Sequence, residues 1–363
     1  MEREKINNVQ FISLLIFIIT APLTGINVTY TLNTAGVDAY LCPLFAAILG
    51  IPLLLIFIII FNYKPDLTLG EKVTYIFGKK IGFIINLLLI LFAIFFSITL
   101  FFNLTDFIVS QFLPETPTKI IGFFFCLIII YAVIKGIETM SRVSLILLFF
   151  TVVIFIISIF GLTNPFDINN LKPFLEFGVQ NTFKGSLHLL CVNFFPIFLL
   201  LTVPKNQITN NKHFSKWLVG AYIFSTLLMF LIIFSLVGNL GIDLSTLYQY
   251  PEYLVLKRIN LFNFLDRIEN ILSMQRIIKM FMFLTFCTYF VTNTIKAHNK
   301  SKIIPIMTVI IIYLIAENVF KNNTMFNNFL LKYVSFFRIL FLILIIIIFM
   351  SVIIKKLRKK INT

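Results

Sequence analysis

The chain has 363 residues, of which 59% are hydrophobic and 12% are charged. Soluble globular domains carry about 25% charged residues, so this composition excludes a soluble globular protein and predicts a polytopic membrane protein. The formal net charge of +15 comes from lysines in short clusters between apolar runs, which favours contact with anionic membrane lipids. We expect no nucleic-acid partner, because the positive charges do not follow one amphipathic face.

Apolar runs of about 20 residues, long enough to cross the roughly 30 Å hydrocarbon core as helices, recur along the whole chain. They predict ten transmembrane helices, at 11–34, 39–61, 82–110, 119–134, 143–162, 183–203, 214–238, 271–295, 303–320 and 332–354. Most of the 30 Lys and Arg residues fall in the connections on the side of both chain ends. The positive-inside rule therefore places both termini in the cytoplasm.

The first apolar run is interrupted about halfway across by the stretch from Thr20 to Gly36. Pro22 removes a backbone donor and disfavours the helical conformation of the residue before it, and Gly25 tolerates the dihedrals of a broken helix. Unpaired backbone cannot face lipid, so such a break indicates a cavity or a packed interior. A kinked helix without a ligand is the alternative.

The sixth run contains a second candidate break at Asn193–Pro196. Five spans separate the two breaks, and because five is odd, two five-helix halves must insert with opposite topology. The sequence therefore predicts an all-α membrane protein with ten helices, a 5+5 inverted repeat and broken helices 1 and 6. The chain forms one integral membrane domain, with repeats at about 9–162 and 183–354.

Broken helices offer their ends to a ligand at mid-membrane. Half-helices beginning near Thr24 and Phe195 present N–H groups to a carboxylate, and the ends near Thr20 and Val192 present carbonyls to an ammonium. Together they predict a zwitterionic amino acid in a cavity between the first and sixth spans. The predicted ligand-binding residues are Thr20, Pro22, Thr24, Gly25, Asn27, Asn103, Asp106, His188, Val192, Asn193, Phe194 and Phe195.

Polar residues inside other spans have two interpretations each. Asn103 and Asp106 lie on one stripe of the third helix, where Asp106 faces a cavity or reaches headgroup water. His188 either senses protons or is hydrogen-bonded to a backbone carbonyl. Glu317 and Arg338 have matching depths, which predicts a structural ion pair between helices, with a direct ligand contact as the alternative.

The long connection from Gly238 to Asn270 contains apolar residues at helical spacing between Leu261 and Leu272. This pattern predicts a helix lying on the protein surface or a lid over a cavity. No arrangement of residues suggests catalysis: the sequence has no nucleophile motif, no phosphate-binding glycine loop and no metal-ligand cluster. We therefore expect no enzymatic activity, no cofactor and no bound metal.

An ordered set of motifs runs over nearly the whole chain: Gly78–Gly82, Phe112–Pro117, Tyr131–Glu138 with Arg142, Asn170–Pro173 followed by Gly178, Tyr250–Pro251 with Arg258, and Phe264–Glu269. The set resembles the B subunit of the Ger-type nutrient germinant receptors of endospore formers. This resemblance implies the fold of amino acid, polyamine and organocation transporters, a place in the spore inner membrane, and assembly with an A subunit and a lipoprotein C subunit.

Three functions follow from this sequence analysis. The first is a permease-like receptor subunit for spore germination that senses a small polar nutrient, such as an amino acid, in a mid-membrane cavity. The second is a secondary amino acid transporter coupled to H⁺ or Na⁺. The third is an assembly scaffold, or a water or ion pathway, within the receptor complex.

Overall fold

The computed structural model describes residues 4–209, 213–259, 268–296, 302–320 and 323–361. These residues are mainly helical, because a helix pairs its own backbone groups where no water is present to do so. The α-helices are α1 (Asn8–Pro22), α2 (Val28–Ala35), α3 (Cys42–Asn62), α4 (Leu69–Gln111), α5 (Thr118–Gly161), α6 (Gly178–Leu189), α7 (Phe214–Leu247), α8 (Pro251–Leu256), α9 (Ile268–Lys296), α10 (Ile303–Val319) and α11 (Asn323–Ile361).

Seven helical stretches of the described residues are long and apolar enough to cross a membrane: Val28–Asn62, Leu69–Gln111, Thr118–Gly161, Gly178–Thr202, Phe214–Leu247, Ile268–Ile295 and Ile339–Arg358. α1 and α10 are shorter apolar helices. The all-helical, polytopic membrane architecture is therefore confirmed, and the number of ten crossings stays a prediction.

α5 covers two predicted spans because a glycine changes its direction. Gly136 has φ 85°, in a region that residues with a Cβ avoid, and it lies between the runs 119–134 and 143–162. Gly78 (φ 79°) separates the first turns of α4 from its apolar part in the same way. Each of these two helices therefore consists of two helical parts joined by a kink at a glycine.

Several connections meet at one end of the helical bundle, which we call the terminal end. Ile6–Asn7 forms a short parallel pair with Ile208–Thr209, joining the start of the chain to the segment after the sixth span. The Lys355 ammonium near the other chain end donates to the Tyr75 carbonyl oxygen at 3.0 Å. The Asn206 N–H beside the parallel pair donates to the Pro65 carbonyl before α4, whereas Tyr250 before α8 donates to Asp106 near the other end of α4. The two chain ends therefore lie at the same end of the bundle, and α8 lies at the opposite end.

The centre of the bundle is formed by α1 and α9, which pack against each other and against α5. Phenylalanines fill much of the interior; Phe61 stacks on Phe214 with ring centroids 5.1 Å apart. Other phenylalanines, such as Phe83 and Phe160, are exposed on the outside of the bundle, where lipid would cover them. Apolar side chains therefore serve both the core and the lipid-facing surface.

The two helix breaks lie where the sequence predicts them, and both are π-helical turns. The first covers Leu23–Asn27 and the second covers Leu190–Phe194, which is followed by a 3₁₀ helix at Phe195–Thr202. The Phe195 N–H donates to the Leu190 carbonyl, so the expectation of a free helix end at Phe195 is wrong. The physical reason is that a π turn keeps the backbone paired, with each hydrogen bond joining residues five positions apart instead of four.

At the first break the backbone keeps helical dihedrals from Pro22 (φ −66°, ψ −20°) through Asn27 (φ −99°, ψ −27°). The Val28 N–H donates to the Leu23 carbonyl across the turn. The expectation of separate half-helices with exposed ends is therefore wrong here too. Distorted but continuous helices bring side chains, rather than bare backbone, to mid-membrane.

The connection between α7 and α9 is described in part. α7 changes direction at Gly241 (φ 70°), and the short helix α8 follows it and packs against α7 and α9. Most of the predicted amphipathic segment, at 260–267, lies outside the described residues. The described part of this connection therefore includes α8, which lies against α7 and α9.

Candidate functional site

Three buried polar side chains join the two π turns. The Asn27 side-chain NH₂ donates to the Asn193 side-chain oxygen. Asn193 in turn donates to the Ile19 carbonyl oxygen at 2.7 Å, and His188 Nε2 lies 2.7 Å from Asn27 Oδ1. The Tyr30 ring stacks on His188, with ring centroids 3.6 Å apart. This polar cluster therefore holds the first and sixth spans together by their side chains.

The hydrogen bonds of the polar cluster determine which ring nitrogen of His188 carries a hydrogen. Because the Asn27 NH₂ donates to Asn193, the Asn27 oxygen is an acceptor, and His188 Nε2 must carry the hydrogen that it receives. The partner of His188 Nε2 is a side-chain amide, and the predicted hydrogen bond to a backbone carbonyl stays a prediction. His188 and Asn27 therefore form a positioned hydrogen bond at the interface where we expected an open cavity.

A cavity of about 50 Å³ reaches the first π turn at Thr24 and extends toward α8. We call it the α8 cavity; its polar lining residues are Thr24, Ser158, Ser235, Glu252, Tyr253, Ser273, Gln275, Arg276 and Lys279. The volume admits about three or four water molecules. We expected a cavity between the first and sixth spans. The α8 cavity does not lie there, because none of its described lining residues belongs to the sixth span.

Arg276 of α9 connects the α8 cavity to the elements around it. Its guanidinium forms an ion pair with Glu252 of α8 and donates to Asn103 Oδ1 at 2.6 Å. The same group lies over the Phe107 and Tyr250 rings, 4.4 and 4.6 Å from their centroids. Burial raises the pKa of the Glu252 carboxyl, and Arg276 opposes that shift. α8 is therefore fastened to α9 by a desolvated ion pair.

Lys279 lies one turn from Arg276 on α9 and is 2% exposed. It lines the α8 cavity and a smaller cavity that also contacts Thr20. Within the described part of the chain, Lys279 has neither a hydrogen bond nor an ion pair, whereas Glu252 is paired with Arg276. The described lining of the α8 cavity therefore carries one unmatched positive charge.

Predicted residues of the first break lie at the cavities or beside them. Thr24 lines the α8 cavity and Thr20 lines the smaller one. Both hydroxyls donate to backbone carbonyls of their own helix. Pro22 is buried at the end of α1, and the backbone of Gly25 lies inside the π turn. The first span therefore contributes to both cavities through its threonines.

The two polar residues of the third span have separate partners. Asn103 is buried and accepts from Arg276. Asp106, one turn further along, accepts a hydrogen bond from the Tyr250 hydroxyl and a longer one, 3.4 Å, from Gln249. Asn103 therefore positions Arg276 beside the cavity, whereas Asp106 holds the segment that leads into α8.

Predicted residues of the second break lie mainly in the core. Val192, Phe194 and Phe195 are all buried. The Phe194 ring contacts Tyr222 with centroids 4.9 Å apart, and the Phe195 ring lies 5.9 Å from that of Phe341. The role of all three as ligand contacts stays a prediction, and in the structure the two phenylalanines pack against aromatic neighbours.

Of the predicted ion pair between Glu317 and Arg338, the structure describes the Glu317 side chain. Glu317 accepts a hydrogen bond from the Thr118 hydroxyl at 2.8 Å, which links α10 to α5. The Arg338 side chain lies outside the described residues. The ion pair between these two residues therefore stays a prediction.

Sequence reasoning missed the charged residues of the α8 cavity. Arg276 and Lys279 lie in the run 271–295, which we interpreted as an ordinary span, and Glu252 lies in the connection before it. Arg276 and Lys279 are three residues apart inside that run, and charges at such depth indicate a cavity or a partner. The two charges three residues apart in an apolar run were therefore the sequence signal that could have revealed this cavity.

The helical bundle with two distorted spans and a buried charged cavity defines a membrane protein of a secondary-transporter fold. The structure of a Na⁺-coupled sialic acid symporter, substrate-bound and outward-open, matches with a TM-score of 0.60 over 92% of this chain and 75% of that one. The sequence identity is 12%, so the likeness shows the fold alone.

The chain belongs to the spore germination protein family, whose family model matches residues 5–324. It is 25% identical to spore germination protein KB of Bacillus subtilis over 71% of this chain and 69% of that protein. It is 26% identical to spore germination protein A2 of the same organism over 60% of each chain, and 25% identical to the putative spore germination protein YfkT over 52% of each. The family resemblance seen in the sequence is confirmed.

Proposed function

We propose that this chain is the permease-like subunit of a nutrient germinant receptor and that a small polar nutrient binds in the α8 cavity. The observation that carries the proposal is the position of this cavity: it reaches the distorted first span at Thr24 and is covered by α8. A ligand there touches the first π turn and the helices α4, α5, α7, α8 and α9. Its binding can therefore favour one arrangement of these elements over another.

The orientation of the cavity follows from the charge pattern. Most Lys and Arg residues lie on the side of both chain ends, so the terminal end faces the cytoplasm and α8 faces outward. In the spore inner membrane, a nutrient arriving from outside would meet α8 first. We propose an A subunit and a lipoprotein C subunit as the partners that receive the conformational signal, and an amino acid as one candidate nutrient.

Filling the cavity tests this function. Ser235 is buried on the cavity side of α7, whereas Val219 is 40% exposed on the same helix. Spores carrying Ser235→Phe should lose their nutrient-triggered germination, and spores carrying Val219→Phe should keep it. Membrane levels of the protein are measured in both strains. An unchanged nutrient response with Ser235→Phe at normal protein level contradicts the proposal.

A second function, solute transport, is favoured by a cavity at the terminal end. This cavity of about 200 Å³ is lined by Glu4, Gln207, Tyr289 and Asn293, and α9 lines both cavities. Cavities at opposite ends of one helix are what alternating access requires. Substrate counterflow in proteoliposomes that contain this chain alone would establish transport coupled to H⁺ or Na⁺; its absence, together with an intact nutrient response, favours the receptor.

A further inference from the structure

The α8 cavity contains a buried cation whose charge the described residues do not balance. Lys279 is 2% exposed and the cavity-lining Arg276 is 3% exposed, so neither side chain has ready access to bulk water. Arg276 is neutralised by Glu252 and supported by Asn103. An isolated ammonium in such surroundings is costly, and folded proteins normally pair it.

Two further polar atoms at this cavity are buried without a hydrogen-bond partner among the described residues. They are Nε of Arg276 and Oε1 of Gln275. Buried polar groups are nearly always paired, so an unpaired donor, an unpaired acceptor and an unpaired ammonium around one cavity indicate a missing polar molecule. Water alone can pair the donor and the acceptor but does not neutralise the charge.

We propose that Lys279 is the anchor for a carboxylate group of the ligand in the α8 cavity. This inference rests on the proposed function, because it assigns a chemical class to the nutrient that binds there. A carboxylate matches the single positive charge, is small enough for the cavity volume, and forms a charge-assisted hydrogen bond with the ammonium. Lys279 is in this proposal a binding residue.

The source of the carboxylate can be a simple organic acid or an amino acid. An amino acid also brings an ammonium, which can donate a hydrogen bond to the unpaired Gln275 oxygen. A simple acid leaves that oxygen to water. The two sources share the contact with Lys279 and differ in their dependence on Gln275.

The test uses the purified full-length chain in lipid nanodiscs at fixed ionic strength, with thermal stabilisation by added probes as the readout. The probes are two matched pairs, propionate with propionamide and L-alanine with L-alaninamide. Wild-type protein should be stabilised by at least one carboxylate and not by its amide. Lys279→Gln should weaken that carboxylate roughly 10- to 100-fold, as expected for the loss of a charge-assisted hydrogen bond.

Lys257 supplies the charge-matched control, since it is exposed at the end of α8 and does not line the cavity. Lys257→Gln removes the same charge and should leave carboxylate binding unchanged. Lys279→Gln removes a buried charge, so without ligand it should be at least as stable as the wild type. Gln275→Leu should weaken L-alanine and spare propionate if the ligand is an amino acid.

The outcomes separate this inference from the proposed function. Equal stabilisation by carboxylates and amides, no stabilisation by either carboxylate, or unchanged carboxylate binding in Lys279→Gln overturns the carboxylate assignment. If Ser235→Phe still abolishes the nutrient response in that case, the cavity remains the nutrient site with a different ligand class. If Ser235→Phe has no effect while Lys279 binds carboxylates, the site exists and the proposed function is wrong.

Discussion

Removing the Asn27 side chain should destabilise the protein strongly, because Asn193 Oδ1 and His188 Nε2 both lose the hydrogen bond that Asn27 makes with them. Asn27 is fully buried and bonds to both Asn193 and His188. Each buried polar group left without a partner costs about 1–3 kcal/mol, so Asn27→Leu should cost about 2–6 kcal/mol. Leucine has a similar size, so little of this cost comes from an empty space.

Thr31→Val is the matched control. Thr31 is equally buried, but its hydroxyl donates to the Asn27 carbonyl oxygen within the same helix, and no second span is involved. Its replacement should cost about 1 kcal/mol. Both variants are compared by denaturant unfolding of the purified chain, together with Asn193→Leu and the double variant Asn27→Leu/Asn193→Leu.

The double variant should cost less than the sum of the two single variants, because each single change already breaks their shared hydrogen bond. A single interhelical hydrogen bond in a membrane averages about 0.6 kcal/mol. If Asn27→Leu costs no more than that, or no more than Thr31→Val, the polar cluster does not hold the two π turns together and our account of this interface is wrong.

Three further substitutions test the packing elsewhere, by the same unfolding measurement. Gly136→Ala should destabilise by at least about 1–2 kcal/mol, because its φ of 85° excludes a Cβ and the added atom meets the Glu4 carboxylate; Gly220→Ala, in open space, should not. Gly50→Ala should displace the Tyr222 hydroxyl and release its 2.7 Å hydrogen bond, at a cost of about 1–3 kcal/mol. Lys72→Met should cost about 1–3 kcal/mol, because the Phe61 carbonyl loses the hydrogen bond from Lys72 and the Ile60 carbonyl keeps only the one from the Tyr63 N–H; a stability equal to the wild type would contradict this role.

The positions of the helix breaks could be predicted from sequence, because local chemistry determines them. Pro22 with Gly25, and Pro196 after Asn193, disturb helical hydrogen bonding wherever they occur. The form of the break could not be predicted in the same way. Whether the backbone unwinds or takes a π turn depends on the partners that neighbouring spans supply, and here Asn193 supplies one across the interface.

The location of the cavity depends on tertiary packing to a still greater degree. Asn103 was predicted as a site residue from its depth, and it does contact the charged group beside the cavity. Its partner Arg276 comes from a helix 173 residues away in sequence, and no local pattern indicates that pairing. Lys279 was not predicted because hydropathy averaged over a span conceals a single charge.

The short parallel pair at the terminal end has a consequence for biogenesis. Residues Ile6–Asn7 are synthesised before their partners Ile208–Thr209, which follow only after the sixth span has been made. During synthesis of the first half, Ile6–Asn7 therefore lacks the strand with which it pairs in the folded protein. A substitution that prevents this pairing should therefore act after the sixth span has been made, when the two segments can first meet.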